Sequence, residues 1–201
     1  MSDTNDSKKR VMIFVDAANL RHSLINAFSI TDKNSKEQIL FNLDIKSLGH
    51  FLAGERNLKA IHYYTAPLIK SVHIIGYPLQ QSYLNNVSNS KIIRVHKAHM
   101  MSQGSGKYKI KGDDVMLAVD MVKLAYNNAY DIAILISNDG DFYPAISAVK
   151  EKGKIIENAY FMKDRASALG QYSNISIRLD NNIEKFINYP PPTIKSQPKL
   201  S

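Results

Sequence analysis

The chain alternates short apolar runs with segments of helical period. Val11-Met12-Ile13-Phe14-Val15 is continuously apolar and ends at Asp16, which fits a strand buried on both faces of a parallel sheet. Ala17 to Phe28 follows with Leu20, Leu24 and Ala27 or Phe28 on one side, predicting a helix. Thr31 to Asn42 is polar and predicts a surface loop. Asp44 is placed to cap a short helix through Phe51 and Leu52 that Gly54 closes. Leu58 to Thr65 reads as a second strand. Gly76 and Pro78 interrupt the helical pattern from Ile74 to Val87, so that helix is expected to begin at about Pro78. Lys91 to His96 is a third strand.

The second half repeats the theme. Met100 to Gly106 is small and polar, predicting a flexible loop, and Lys107 to Lys111 a short extended segment. Asp113 to Asn127 predicts a helix, Ile132 to Ser137 a buried strand, and Asp141 to Lys152 a helix ended by Gly153. Lys154 to Ala159 is a fifth strand, Asp164 to Leu169 a short helix, and Ile175 to Leu179 a sixth extended stretch. Residues 1–9 are polar and 189–201 carry Pro190, Pro191, Pro192 and Pro198, so both ends are expected to be disordered around one domain at 10–188. Strands alternating with helices imply an α/β fold, three layers α/β/α around a mainly parallel sheet.

Composition narrows the chemistry. With 201 residues and 44% hydrophobic content, the chain can bury one substantial core. It has no cysteine, which excludes disulfides, thiolate metal sites and a thiol nucleophile; a soluble protein of the reducing cytoplasm fits. The polar start is followed by no run long enough for a signal peptide or a membrane span. Net charge is +8, unevenly spread. From Arg56 to Gly112 there is no Asp or Glu, while Arg94, Lys97, Lys107, Lys109 and Lys111 fall there; from Asp113 to Asp141 six aspartates face Lys123 alone. An acidic cluster beside a basic stretch suits a site where cations hold a reacting phosphate and basic side chains hold the rest of a polyanion. Ordinary solvated lysine faces would give the same totals.

The aspartates fall at the ends of elements. Asp16 follows the first strand, Asp113 and Asp114 open a helix, and Asp139 and Asp141 bracket Gly140 after the strand Ile132 to Ser137. Ligands of parallel α/β sheets bind outside the carboxyl ends of the strands, which puts Asp16 and Asp139 on one edge. Carboxylates gathered there repel one another, and a hard divalent cation relieves the repulsion. Each also has a capping explanation: Asp16 and Asp141 both stand where helix N-caps are favoured. On the helical wheel Asp114 falls with Val115, Ala118, Met121, Val122 and Ala125, and Asp113 with Met116, Asp120, Lys123 and Asn127. Asp114 is therefore expected to point inward and Asp113 outward. Asp120 is read as structural, or as supporting the ligands. Asn19 and Ser137 are placed to orient Asp16 or a phosphate.

Other chemistries lack their signatures. The six histidines show no H-x-x-x-H or H-E-x-x-H spacing, and there is no G-x-S-x-G, P-loop or G-x-G-x-x-G motif.

The segments Phe14-Val15-Asp16-Ala17-Ala18-Asn19, Lys111-Gly112-Asp113-Asp114-Val115-Met116-Leu117-Ala118-Val119-Asp120 and Ser137-Asn138-Asp139-Gly140-Asp141-Phe142 together resemble the NYN domain of the PIN-like nuclease superfamily, in its LabA-like bacterial branch. The resemblance spans roughly Arg10 to Leu179. It implies a PIN-like α/β/α fold and metal-dependent hydrolysis of RNA, expected to be endonucleolytic. Asp16, Asp114, Asp139 and Asp141 would hold one or two Mg²⁺ or Mn²⁺ ions, with Asp120 at a further family position. Asp113 stands where the family often has valine, and Asn138 where it often has glycine. Lys107, Lys109, Lys111, Arg94 and Lys97 would bind the RNA backbone, and Tyr63, Tyr64 and Tyr108 would offer stacking surfaces. The competing reading is a catalytically silent RNA-binding or regulatory domain with the same acids. The expected partner is RNA, without a membrane; the residues single out neither a monomer nor a homo-oligomer.

Overall fold

The computed structural model describes residues 8–102, 108–161 and 169–187, with side chains 99–111 left aside. Within it β1 (Arg10–Asp16), β2 (Asn57–Thr65), β3 (Ile93–Lys97), β6 (Ile132–Ile136), β7 (Ile155–Tyr160) and β8 (Ile175–Arg178) form one sheet in the order β3-β2-β1-β6-β7-β8. All its neighbours pair in parallel. A hairpin of β4 (His99–Ser102) and β5 (Tyr108–Lys111) stands apart.

Helices cover both faces, as the unbroken apolar strands require. Val11, Ile13 and Val15 pack with α1 (Ala17–Ala27), α3 (Ile45–Ala53) and α4 (Gly76–Ser88), whereas Met12 and Phe14 pack with α5 (Asp113–Tyr126) and α6 (Tyr143–Glu151). This is the three-layer α/β/α architecture expected. Phe14 is fully buried between His62 and Tyr130; truncating such a side chain costs about 3–5 kcal/mol.

Several local expectations change. The polar stretch read as a loop contains α2 (Lys33–Gln38), capped by Asp32, and a 3₁₀ turn at Ile39–Asn42; only Glu37, Ile39 and Leu40 there are buried, too few for a periodic signal. Helix α4 starts at Gly76 rather than Pro78, since proline is tolerated in a first turn. Met100, Met101 and Ser102 pair with β5 instead of forming loop. The short helix expected at 164–169 and the tail at 189–201 lie outside the described residues.

Chain order matters for the site. From β1 the chain moves outward to β2 and β3, then returns to lay β6 on the other side of β1. The edge beyond the carboxyl ends of β1 and β6 is therefore a topological switch point, where parallel sheets open a crevice.

Candidate metal centre at the switch point

Asp16 ends β1 and caps α1: Oδ1 accepts from the Asn19 amide at 3.0 Å, and Oδ2 accepts from the Ser137 hydroxyl at 3.1 Å. It is only 6% exposed. Burial, opposed by the Asn19 hydrogen bond and reinforced by Asp114, pushes its carboxyl up to about 6. Ser137 also accepts from the Asp139 amide at 3.2 Å, and Asn19 Oδ1 accepts from the Asn138 amide at 3.0 Å. These bonds tie the β1–α1 turn to the β6–α6 turn. Beneath them the fully buried Asn158 donates to the Leu135 and Ser137 carbonyls at 3.2 and 2.8 Å; a lone asparagine in a strand gave no sequence signal for that role.

Asp139 accepts from the Asp141 amide at 2.9 Å and caps the 3₁₀ turn Gly140–Phe142. Capping thus falls to Asp139, not Asp141, and leaves Asp141 exposed. Asp113 and Asp114 open α5 after Gly112, whose φ of +94° is a conformation glycine adopts at little cost. Burial, Asp113, Asp139 and Asp141 all push the Asp114 carboxyl up. α5 is rotated from the orientation its helical wheel predicts: it packs through Leu117, Met121 and Ala125, and Val115 is 66% exposed. Asp114 is exposed and Asp113 half-buried, because they flank the Leu117 stripe on its two sides. Among the described residues, no three of these acids bring donor atoms within 4.8 Å of one another.

A different trio does. One donor atom each from His62, His96 and Asp120 lies within 4.8 Å of the other two. His62 Nδ1 and His96 Nε2 are 3.0 Å apart, Asp120 Oδ2 is 3.6 Å from His96 Nδ1, and Tyr64 donates to Asp120 at 2.9 Å. The carboxylate favours a proton on His96 Nδ1, so His96 Nε2 accepts from His62. His62 Nε2 is then a buried lone pair, with no partner among the described residues. Burial, His96 and Arg94 push His62 down to about 4. Residues 34 and 58 positions apart in the chain form no local motif, so spacing rules missed them.

Of the basic residues, Arg94 and Lys97 are exposed on β3, while Lys109 and Lys111 lie on β5; Lys107 and the side chains of Lys109, Lys111 and Tyr108 lie outside what is described. Tyr63 and Tyr64 are 0% and 1% exposed, so neither is a stacking surface: β2 is interior and both its faces are covered.

A parallel α/β domain with acids at its switch point is the class these features define. The NYN domain model matches residues 10–180, and the chain belongs to that family, of the PIN-like nuclease superfamily. A segment of 73 residues is 37% identical to "Uncharacterized protein MJ0482" of Methanocaldococcus jannaschii, covering 36% of this chain and 29% of that protein; the chain thus spans under a third of that relative. A Vibrio parahaemolyticus protein of unknown function, VPA0982, has a similar fold, with a TM-score of 0.67 at 16% identity over 91% of this chain and 99% of that one. Among the described residues no helix is long and apolar enough to cross a membrane.

Proposed function

We propose that this domain is a divalent-metal-dependent ribonuclease of the cytoplasm that hydrolyses RNA phosphodiester bonds within the strand. The observation that carries this reading is the gathering of acids from three elements: burial first, and then aspartates of another element, push both Asp16 and Asp114 up. A set of oxygen donors in that state fits a hard cation, Mg²⁺ or Mn²⁺, rather than a soft one. Asp16, Asp114, Asp139 and Asp141 would hold it. Bound there, it supplies Lewis acidity toward the phosphate and the attacking water.

The chain's own residues do the rest. Ser137 and Asn19 fix Asp16 and the β6–α6 turn through the hydrogen bonds above, and so keep the acids facing one crevice. Asp113 adds charge on the opposite flank of α5. Arg94, Lys97, Lys107, Lys109 and Lys111 hold the RNA backbone as it approaches. Asp120 is bound to Tyr64 and faces His96, so it steadies α5 against β2 and β3.

One observation favours the silent alternative, an RNA-binding or regulatory domain: both oxygens of Asp16 already have protein partners, as a purely structural cap would. Incubation of the purified protein with labelled single-stranded and structured RNAs in Mn²⁺, Mg²⁺ or EDTA separates the two. Shortened products that require the cation support the nuclease; salt-sensitive binding without products supports the silent domain.

A further inference from the structure

A cavity opens on the same sheet edge as Asp16, on the α1 side, with a volume of about 260 Å³. Ala17 and Ala18, directly after Asp16, form one wall and Thr65 at the end of β2 another. Arg21, Glu37, Thr65, His73 and Gln80 are its polar lining residues, and the Gln80 amide is already bonded at both ends, to the Leu68 amide and the Ala66 carbonyl. Glu37 comes from the polar helix α2 yet is 6% exposed. One of its oxygens accepts from the Gly76 amide at 2.7 Å; the other is 3.9 Å from His73 Nδ1. Only glycine fits at 76 without adjustment, since a Cβ there would stand 3.1 Å from Leu68 Cδ1 and 3.2 Å from Glu37 Oε2.

Arg21 is half-buried. Burial pushes its guanidinium down and Glu37 opposes that, yet among the described residues Arg21 makes no hydrogen bond. A guanidinium carries five donors in a planar fork. Half-buried beside a buried carboxylate and without a protein acceptor among the described residues, it has its donors available to a ligand with matching acceptors.

We propose that this cavity takes one guanine base of the RNA, next to the scissile phosphate; the location rests on the ribonuclease reading. Size sets the ligand: the volume falls just below the roughly 300 Å³ at which pockets for whole small molecules begin, so it holds one ring system, not a dinucleotide. Chemistry sets the base. Guanine presents the O6 and N7 acceptors that an arginine fork binds in a bidentate manner, and its N1–H and N2 amino donors suit the Glu37 carboxylate. Adenine turns an amino donor toward the arginine where guanine has O6. Leu40 and Phe41 supply apolar surface for the ring, as unstacked bases need.

The test is calorimetric titration of the full chain in EDTA with the 5′-monophosphates of guanosine, adenosine, cytidine and uridine. Guanosine monophosphate is expected to bind roughly 10- to 100-fold more tightly than the others. Glu37→Gln keeps an acceptor for the Gly76 amide, and Arg21→Met keeps the apolar stem. Each should weaken guanosine monophosphate binding by about tenfold or more and narrow the preference. Equal affinity for all four nucleotides overturns the proposal, as does guanosine monophosphate binding that neither variant changes. If Glu37→Gln does not fold, Arg21→Met decides alone. These titrations need no turnover, so the two readings fail separately. RNA cleavage without guanosine monophosphate binding removes the pocket and leaves the nuclease; selective binding without cleavage does the reverse.

Discussion

Replacing Asp16 by asparagine should make the protein more stable while it abolishes cleavage. Burial pushes this carboxyl up to about 6 from an ordinary 3.8, a difference worth roughly 3 kcal/mol. The sign follows from linkage. Because the folded value is the higher, the folded state binds the proton more tightly, and the wild type loses stability as pH rises from about 4 to about 6. Above that window the ionised Asp16 costs the full amount. Asparagine still accepts from the Asn19 amide, but its amino group must donate to Ser137, which now donates to Asp16 and accepts from the Asp139 amide. Allowing about 1 kcal/mol for that rearranged hydrogen bond leaves a gain of about 2 kcal/mol. For a domain of this size it corresponds to a melting temperature about 4–8 °C higher. Scanning calorimetry in EDTA at pH 7.5 and pH 4 measures it: the variant should melt higher at pH 7.5, and the gap should close at pH 4. Added Mn²⁺ should raise the melting temperature of the wild type more than that of the variant. A variant that melts lower at pH 7.5, or a gap independent of pH, would refute the reasoning.

The basic run before α5 should set affinity rather than turnover. Lys107, Lys109 and Lys111 replaced together by alanine should weaken RNA binding and lower the slope of log affinity against log salt by roughly 0.7 per lost contact; an unchanged slope sends the RNA elsewhere. Arg56 forks onto both oxygens of Glu157, which is 2% exposed. Arg56→Met strands that carboxylate and should cost about 3–5 kcal/mol in urea unfolding, and a loss under 1 kcal/mol contradicts the pairing. His62, held down at about 4, is favoured neutral by the fold. Its contribution is complete above about pH 6.5 and is lost as pH falls toward 4, so His62→Gln should flatten the fall in stability across that window; a fall as steep as the wild type's places the titration in other groups.

Legibility in the sequence followed burial. β1 and β6 announced themselves because strands covered on both faces are apolar throughout, and the positions of Asp16 and Asp139 at one edge followed because each comes directly after such a strand of a parallel sheet. α5 was clear as a helix, but its rotation was not: Val115 suggested an inward side, whereas the packed stripe is Leu117, Met121 and Ala125. At the first turn a few tens of degrees exchange which aspartate is sheltered. α2 was illegible because the one side chain it buries from Lys33–Gln38 is a glutamate. The same blindness hid the cavity around Arg21 and the His62–His96–Asp120 trio. In both, distant polar residues meet through topology, and no local spacing records it.

If these acids act on RNA through a bound cation, Asp139→Asn should separate cleavage from binding. Asp139 is half-exposed, and asparagine keeps an acceptor for the Asp141 amide, so the fold should persist. Single-turnover cleavage of a labelled RNA in Mn²⁺ and RNA affinity in EDTA are measured on the same two preparations. Cleavage should fall by about a hundredfold or more, beyond the loss typical of residues that only support a metal ligand, with affinity changed by less than about twofold, since no phosphate-binding cation is lost. Equal cleavage by the two proteins would contradict the claim.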